Sequence, residues 1–358
     1  MAHVHQAIAA ADGPHTFDVY FDLQPLMTTL AVLAALSATL APSPAIPLID
    51  AAISRSTRLL VIAPHPDDGV LAAGGLIRRV INHGGRVRVV WTTSGDGFPN
   101  GVVSAEGITP SGAHLTARDY QSYGVIREHE ARVALGMLGV TPRSLTFLGF
   151  PDEGLCELAS TYRSQRAQAF KSPYTSRISP PAAEQILPGV QYRGLDLQRE
   201  LERVVATFRP TVVVAPHPGD EHPDHCSTHM FLEAALDGMA AQGWTRPRVL
   251  HYLIHYRGWP LVGNANDGEI APPVGFSPAG GRWVRLALTA EEIASKREAV
   301  LAHHSQLLVI ERFMLAFARA NELFIEGQPR ELPECWCNGE NIAAGAAPMP
   351  QRRQPPQP

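Results

Sequence analysis

Two short stretches concentrate the residues able to do chemistry in this 358-residue chain: Ala63-Pro64-His65-Pro66-Asp67-Asp68 and His217-Pro218-Gly219-Asp220-Glu221-His222-Pro223-Asp224-His225. Imidazole and carboxylate are good zinc ligands, and a catalytic zinc takes three protein ligands while keeping one position open for water. His65 and Asp68, three apart on a turn into a helix, can aim at one ion, and His225 can supply the third ligand from the other stretch. Asp67 then stands beside the ion without being needed to bind it. It is the natural general base for a metal-bound water, whose pKa falls to about 7. His222 either stabilises the oxyanion or protonates the departing amine, because an amide nitrogen leaves poorly without a proton.

Each of these residues has a plainer reading. Asp67 or Asp68 could only cap the following helix, and a lone His-Pro-Asp turn is more often structural than catalytic. What favours chemistry is the conjunction, since two polar, His-rich turns have no obvious packing purpose. Rival ligands remain: His225 and His229, four apart at a helix start, have a spacing that chelates zinc. His217 and Asp220 read as shaping the loop or lining the substrate site, and Asp224 as a helix cap or a partner of a metal ligand.

The surrounding elements must bring the two stretches together. From Arg58 the sequence alternates strand-like and helix-like segments, the pattern of an α/β fold with a mostly parallel sheet. Leu59 to Ala63 is a continuous apolar run, as in a strand covered on both faces. Val70, Leu71, Gly74, Ile77 and Ile81 follow at helical spacing, ended by His83-Gly84-Gly85. Further strands are expected at Arg86–Trp91, Leu145–Leu148, Thr211–Ala215 and Val249–Ile254. Helices are expected over Arg127–Leu138, Leu197–Phe208 and Met230–Met239, with a C-terminal one carrying Ile293 and Val300.

A Rossmann-like, doubly wound sheet of order 3-2-1-4-5 with helices on both faces makes strands one and four neighbours, and ligands bind in the crevice at their carboxyl ends. Two long stretches interrupt the rhythm, Phe98–Thr116 and Pro151–Leu195; loops of such length inside a domain are usually functional covers or disordered. The second is expected to hold one short helix and to be an active-site insertion. Its Tyr162, Tyr174 and Tyr192 either face the ligand or merely pack the loop.

Composition narrows the partners. A formal net charge of −4 with scattered Lys and Arg gives no basic stripe for a phosphate backbone, so nucleic acid is excluded in favour of a small ligand. Cys156, Cys226, Cys335 and Cys337 are too few and too unevenly spaced for a disulfide framework. The apolar run 30–41 is too short to span a bilayer. It has the length of an export signal, yet no Lys or Arg precedes Arg55, so a cytoplasmic chain is favoured over an exported one. The tail from Ala343 reads as unstructured.

With these motifs in view, the chain resembles the LmbE-like, or PIG-L, family of zinc-dependent N-deacetylases. The resemblance runs from about Arg58 to Gly327, and the pairing of HPDD with HPDH is specific to it. It implies zinc on His65, Asp68 and His225, Asp67 as base and His222 as transition-state partner, in agreement with the reading above. Arg127-Glu128-His129-Glu130 is similar to the family's R-x-x-E, which implies that Arg127 touches substrate. Phe147 to Asp152 looks like the stretch ending in a substrate-binding Asp, which implies that role for Asp152. His303-His304-Ser305-Gln306 resembles its H-x-S-Q element. One departure stands out: Gly69 replaces the usual Glu after HPDD.

The resemblance implies removal of an acetyl group from an amino sugar or N-acetylglucosamine conjugate, with zinc, or iron(II) as the alternative metal. The deacetylase domain is placed at 55–342 with the insertion 151–195, preceded by an extension 1–54 and followed by the tail 343–358. A homo-oligomer is compatible with the chain. Two other functions fit the same residues. One is a non-catalytic zinc- and sugar-binding protein, which Gly69 favours; the other is a metallo-amidase or esterase acting on a non-sugar substrate.

Overall fold

The apolar run after Arg58 is a strand because each of its side chains has somewhere dry to go. In β1 (Arg58–Ala63), Leu59, Val61 and Ala63 enter one core and Leu60 and Ile62 the other, the two-residue alternation of a pleated strand. A computed structural model describes residues 53–106, 114–261, 268–278 and 280–327. The apolar run at 30–41, Cys335, Cys337 and the tail from 343 lie outside them. All described residues belong to the compact unit Ile46–Pro358; the other unit is Met1–Ala45.

On either side of β1 lie β2 (Arg86–Thr93), β3 (Leu145–Phe150), β4 (Val212–Pro216) and β5 (Arg248–Tyr252), all parallel. β6 (Arg282–Ala287) and β7 (Asn321–Glu326) extend the sheet antiparallel beyond β5. The full order is β3-β2-β1-β4-β5-β7-β6, the expected 3-2-1-4-5 with two added strands.

Helices cover both faces. α1 (Asp68–Asn82), α3 (Ala117–Met137) and α7 (Ala290–Leu301) contribute Val70, Ala134, Leu135 and Val300 to one core. α5 (Gly194–Phe208) and α6 (Pro223–Ala241) contribute Leu197, Leu201, Phe231 and Leu232 to the other. α2 (Pro99–Glu106), α4 (Leu155–Ala159) and α8 (His304–Leu315) complete the described helices. Among the described residues no helix is long and apolar enough to cross a membrane.

Four expectations need correction. α3 begins at Ala117, not near Arg127, and α6 at Pro223, not near Met230. Their first turns carry polar residues and histidines rather than an apolar stripe, so periodicity misses them. The stretch Phe98–Thr116 is not all loop, since it contains α2. Cys156 and Cys226 are both disulfide-bonded, although spacing suggested no framework; only the fold lays α4, with Cys156, against α6, with Cys226.

Inside α1, Ala73 leaves helical dihedrals (φ −138°, ψ 19°). A break frees amides that need acceptors, and Glu322 of β7 takes the Gly75 and Leu76 N–H groups at 2.7 and 2.9 Å. The same carboxylate pairs with buried Lys296 of α7 at 2.8 Å. Gly74 makes room for this, because a Cβ there would come within 3.0 Å of Lys296 Cγ.

Candidate active site and metal centre

The HPDD turn joins β1 to α1 and is held from β2. Trp91 Nε1 donates to the Pro66 carbonyl at 3.1 Å, and the Thr93 amide and hydroxyl both donate to the Pro64 carbonyl. The His65 amide donates to Asp68 Oδ2 at 2.9 Å, which folds the turn back on itself. The second stretch joins β4 to α6, so the neighbouring strands β1 and β4 deliver both motifs to one crevice.

There His65, Asp68 and His225 converge. Asp68 Oδ2 lies 3.2 Å from His65 Nδ1 and 3.1 Å from His225 Nε2, and those two nitrogens are 3.4 Å apart. All three side chains are buried. Bonds of about 2.0–2.1 Å in a tetrahedral zinc site place neighbouring donor atoms roughly 3.3 Å apart. The triangle fits a metal ion on distances alone.

The far sides of both rings are also fixed. His65 Nε2 faces Asp152 Oδ1 at 3.2 Å, and His225 Nδ1 faces Asp220 Oδ2 at 3.2 Å. A carboxylate on the distal nitrogen is the usual partner of a metal-bound imidazole, because it sets the tautomer and orients the ring. Asp220 does more than this, accepting the amides of His222, Ile254 and His255. Burial pushes the Asp68 carboxyl up, but the His225 and His65 imidazoles outweigh it and hold it well below the ordinary range. Burial likewise opposes charge on His225, and Asp220 and Asp68 raise it to about 9.

Asp67 is buried beside this triangle, and Arg127 Nη2 donates to its Oδ1 at 3.1 Å. Arg127 Nη1 reaches the Gly95 carbonyl at 2.6 Å. Gly95 has φ +63°, and a Cβ there would sit 2.0 Å from Arg127 Nη1, so only glycine allows the approach. Arg127, expected at the substrate, therefore lies against the candidate base. Asp152, also expected at the substrate, has its second oxygen taken by the Gly97 amide at 2.6 Å. Both are buried; Arg127 Nη1 and Nη2 and both Asp152 oxygens serve protein partners, while Arg127 Nε has none.

His222 is half-buried, with its ring centroid 4.6 Å from that of His65. Its Nδ1 accepts the Asp224 amide at 3.2 Å, which leaves the proton of the neutral ring on Nε2. Burial, then the neighbouring imidazoles His65, His255 and His225, lower its pKa well below the usual value. Asp224 does not cap its own helix. It accepts the Glu153 and Leu155 amides at 2.6 and 3.1 Å and fastens the insertion to the site. His217 shapes its loop, with Nδ1 accepting the Gly219 amide. His229 does not face the triangle: its ring lies against His251 of β5.

Two of the three tyrosines of the insertion pack within it, and Tyr174 stands half-buried at the site. Tyr192 is buried with its hydroxyl on the Gly149 carbonyl, and Tyr162 lies edge-on to Phe170. Tyr174 donates to Glu153 beside Gly97.

The sequence reading missed His255, whose ring stands 4.8 Å from that of His225 and 5.2 Å from that of His222. Its signal was available, since it follows β5 at the same carboxyl edge. The R-x-x-E and H-x-S-Q elements turn out to dock on each other. Glu130 accepts both the Ser305 amide and hydroxyl, at 2.8 and 2.6 Å, and Gln306 bonds the Tyr123 hydroxyl.

Comparison with known proteins gives the following relatives. The family described as PIG-L, GlcNAc-PI de-N-acetylase, matches residues 60–236. A 1D-myo-inositol 2-acetamido-2-deoxy-alpha-D-glucopyranoside deacetylase of Tsukamurella paurometabola is 29% identical over 286 residues, covering 74% of this chain and 87% of the relative. The Mycobacterium leprae protein of the same name is 30% identical over 284 residues, covering 72% and 82%. Among solved structures, an N,N'-diacetylchitobiose deacetylase from Pyrococcus horikoshii superposes with a TM-score of 0.46 at 17% identity, covering 87% of this chain and 95% of that one. On the strength of these sequence relatives, the chain belongs to the PIG-L family of de-N-acetylases.

Proposed function

We propose that this chain removes the acetyl group from the nitrogen of an N-acetylglucosamine-containing small molecule, using a divalent cation, preferably zinc, on His65, Asp68 and His225. The observation that carries the reading is the triangle of donor atoms 3.1–3.4 Å apart, with carboxylates already in place behind both imidazoles. A cation held there supplies Lewis acidity, polarising the acyl oxygen and making water a better acid.

The remaining work falls to the chain's own groups. Asp67, oriented by Arg127, takes a proton from the attacking water. His222, with its proton on Nε2, donates a hydrogen bond to the acyl oxygen as that oxygen gains charge. Because its Nδ1 is occupied in accepting the Asp224 amide, His222 brings no extra proton for the leaving nitrogen. Asp67 returns the one it has taken to that nitrogen, and acetic acid and the amine part, ionising to acetate and ammonium. Gly69 does not thin out this machinery. A Cβ there would meet Val89 and Val61 at 3.5 and 3.7 Å, on the apolar side of α1 facing the sheet.

Acetate release from N-acetylglucosaminyl conjugates by zinc-loaded protein tests the proposal. Wild type should turn over and Asp67→Asn should lose about 10²–10⁴-fold in kcat, while both bind zinc equally. Turnover confined to non-sugar amides would replace the substrate class. Silence on every substrate, with zinc bound, would make the chain a binding protein.

A further inference from the structure

We propose a second divalent-cation site, separate from the catalytic crevice, formed by His229, Glu233 and His251. His229 and Glu233 stand one turn apart on α6, and His251 faces them from β5. One ligand atom from each lies within 4.8 Å of the other two. The two rings have centroids 5.0 Å apart, and both side chains are inaccessible, with 0% and 1% exposure.

What distinguishes this cluster from an ordinary buried histidine pair is its unmet hydrogen bonding. None of the four ring nitrogens of His229 and His251 has a partner of good hydrogen-bond geometry; His229 has only the Pro216 carbonyl near it and His251 only the Ile325 carbonyl, which leaves one nitrogen of each ring open to an ion. Glu233 gives Oε2 to Arg246, while its Oε1 is buried and equally unpartnered. Native interiors leave few such atoms unpaired, and an absent ion is a recognised cause. A cation between them would satisfy one nitrogen of each ring and Oε1 together. Two histidines and a glutamate form a known zinc set, and the helical spacing of four residues aims two of them the same way. Burial lowers the pKa of both imidazoles, which favours the neutral form that donates a lone pair.

This site shares no ligand with the first. His225 turns into the crevice, and His229, one helical turn later, turns to β5. The guanidinium of Arg246 on the same carboxylate repels a cation, so this ion is held more weakly than the crevice ion and leaves first under a chelator.

Titration of metal-free protein with Co²⁺, followed by visible absorption and by bound metal per chain, decides the matter. Wild type should take up two ions in two phases. Glu233→Gln, at a half-exposed position that tolerates an isosteric change, should lose the weaker phase and keep the tighter. His65→Ala/Asp68→Ala should lose the tighter phase and keep the weaker. A wild type that saturates at one ion, or a Glu233→Gln protein that titrates like wild type, overturns the proposal. If the double variant does not fold, the comparison of wild type with Glu233→Gln stands alone. Neither result bears on the crevice, whose test is acetate release.

Discussion

Helix α1 carries buried charge at two points, and the two clusters are built on opposite plans. At its break, the Lys296 ammonium and the Gly75 and Leu76 amides all find an acceptor in the one Glu322 carboxylate. At its start, His65, Asp68 and His225 crowd their donor atoms into one small triangle, with further carboxylates of Asp152 and Asp220 behind them. The first arrangement closes on one carboxylate. The second gathers lone pairs around a shared centre, which is useful only to a ligand. Buried charge that pairs off internally holds a fold together, whereas buried donors that converge prepare a site.

Substitutions can break or sharpen that contrast. The largest effect is expected from Glu322→Ala, which leaves the Lys296 ammonium buried without a partner and two amides without an acceptor. Loss of one member of a buried pair costs roughly 3–5 kcal/mol, and chemical denaturation should show it as a lower midpoint in metal-free and metal-loaded protein alike. Asp220→Asn should instead leave metal-free stability less affected and weaken zinc affinity about 10–100-fold, read by competition with a chelating dye. Equal destabilisation in both clusters would erase the distinction. The smallest effect is expected from Gly69→Ala. Its Cβ meets neighbours at ordinary contact distances, and alanine gains up to about 1 kcal/mol over glycine inside a helix. Thermal unfolding should shift upward with turnover unchanged.

The parts of the molecule readable from sequence follow the same division. Strands β1 to β5 announce themselves because burial on both faces demands continuous apolar runs, as in Leu59–Ala63 and Val212–Ala215. β6 and β7 do not, since Arg282, Arg285, Glu322 and Glu326 break the run and their pairing partners are fixed by the sheet edge rather than by local pattern. The candidate metal triangle is legible because His65, Asp68 and His225 fall beside strand ends. The groups behind it are not. That Asp152 meets His65 and Arg127 meets Asp67 depends on contacts 87 and 60 residues apart in the chain, and no spacing rule encodes such distances. His229 shows the limit from the other direction, since four-residue spacing fits two different partners and only β5 decides between them.

The docking of Glu130 on Ser305 reaches further than the residues it joins. The family match ends at residue 236, yet the helix that supplies Arg127 to the candidate base is latched by a serine close to residue 300 and by Gln306 on Tyr123. A protein cut after α6 would expose the acceptor oxygens of Glu130 to no counterpart and slacken the guanidinium that steadies Asp67. The segment matched by the family therefore leans on residues beyond it: Ser305 and Gln306 brace, from the C-terminal side, the helix that carries Arg127.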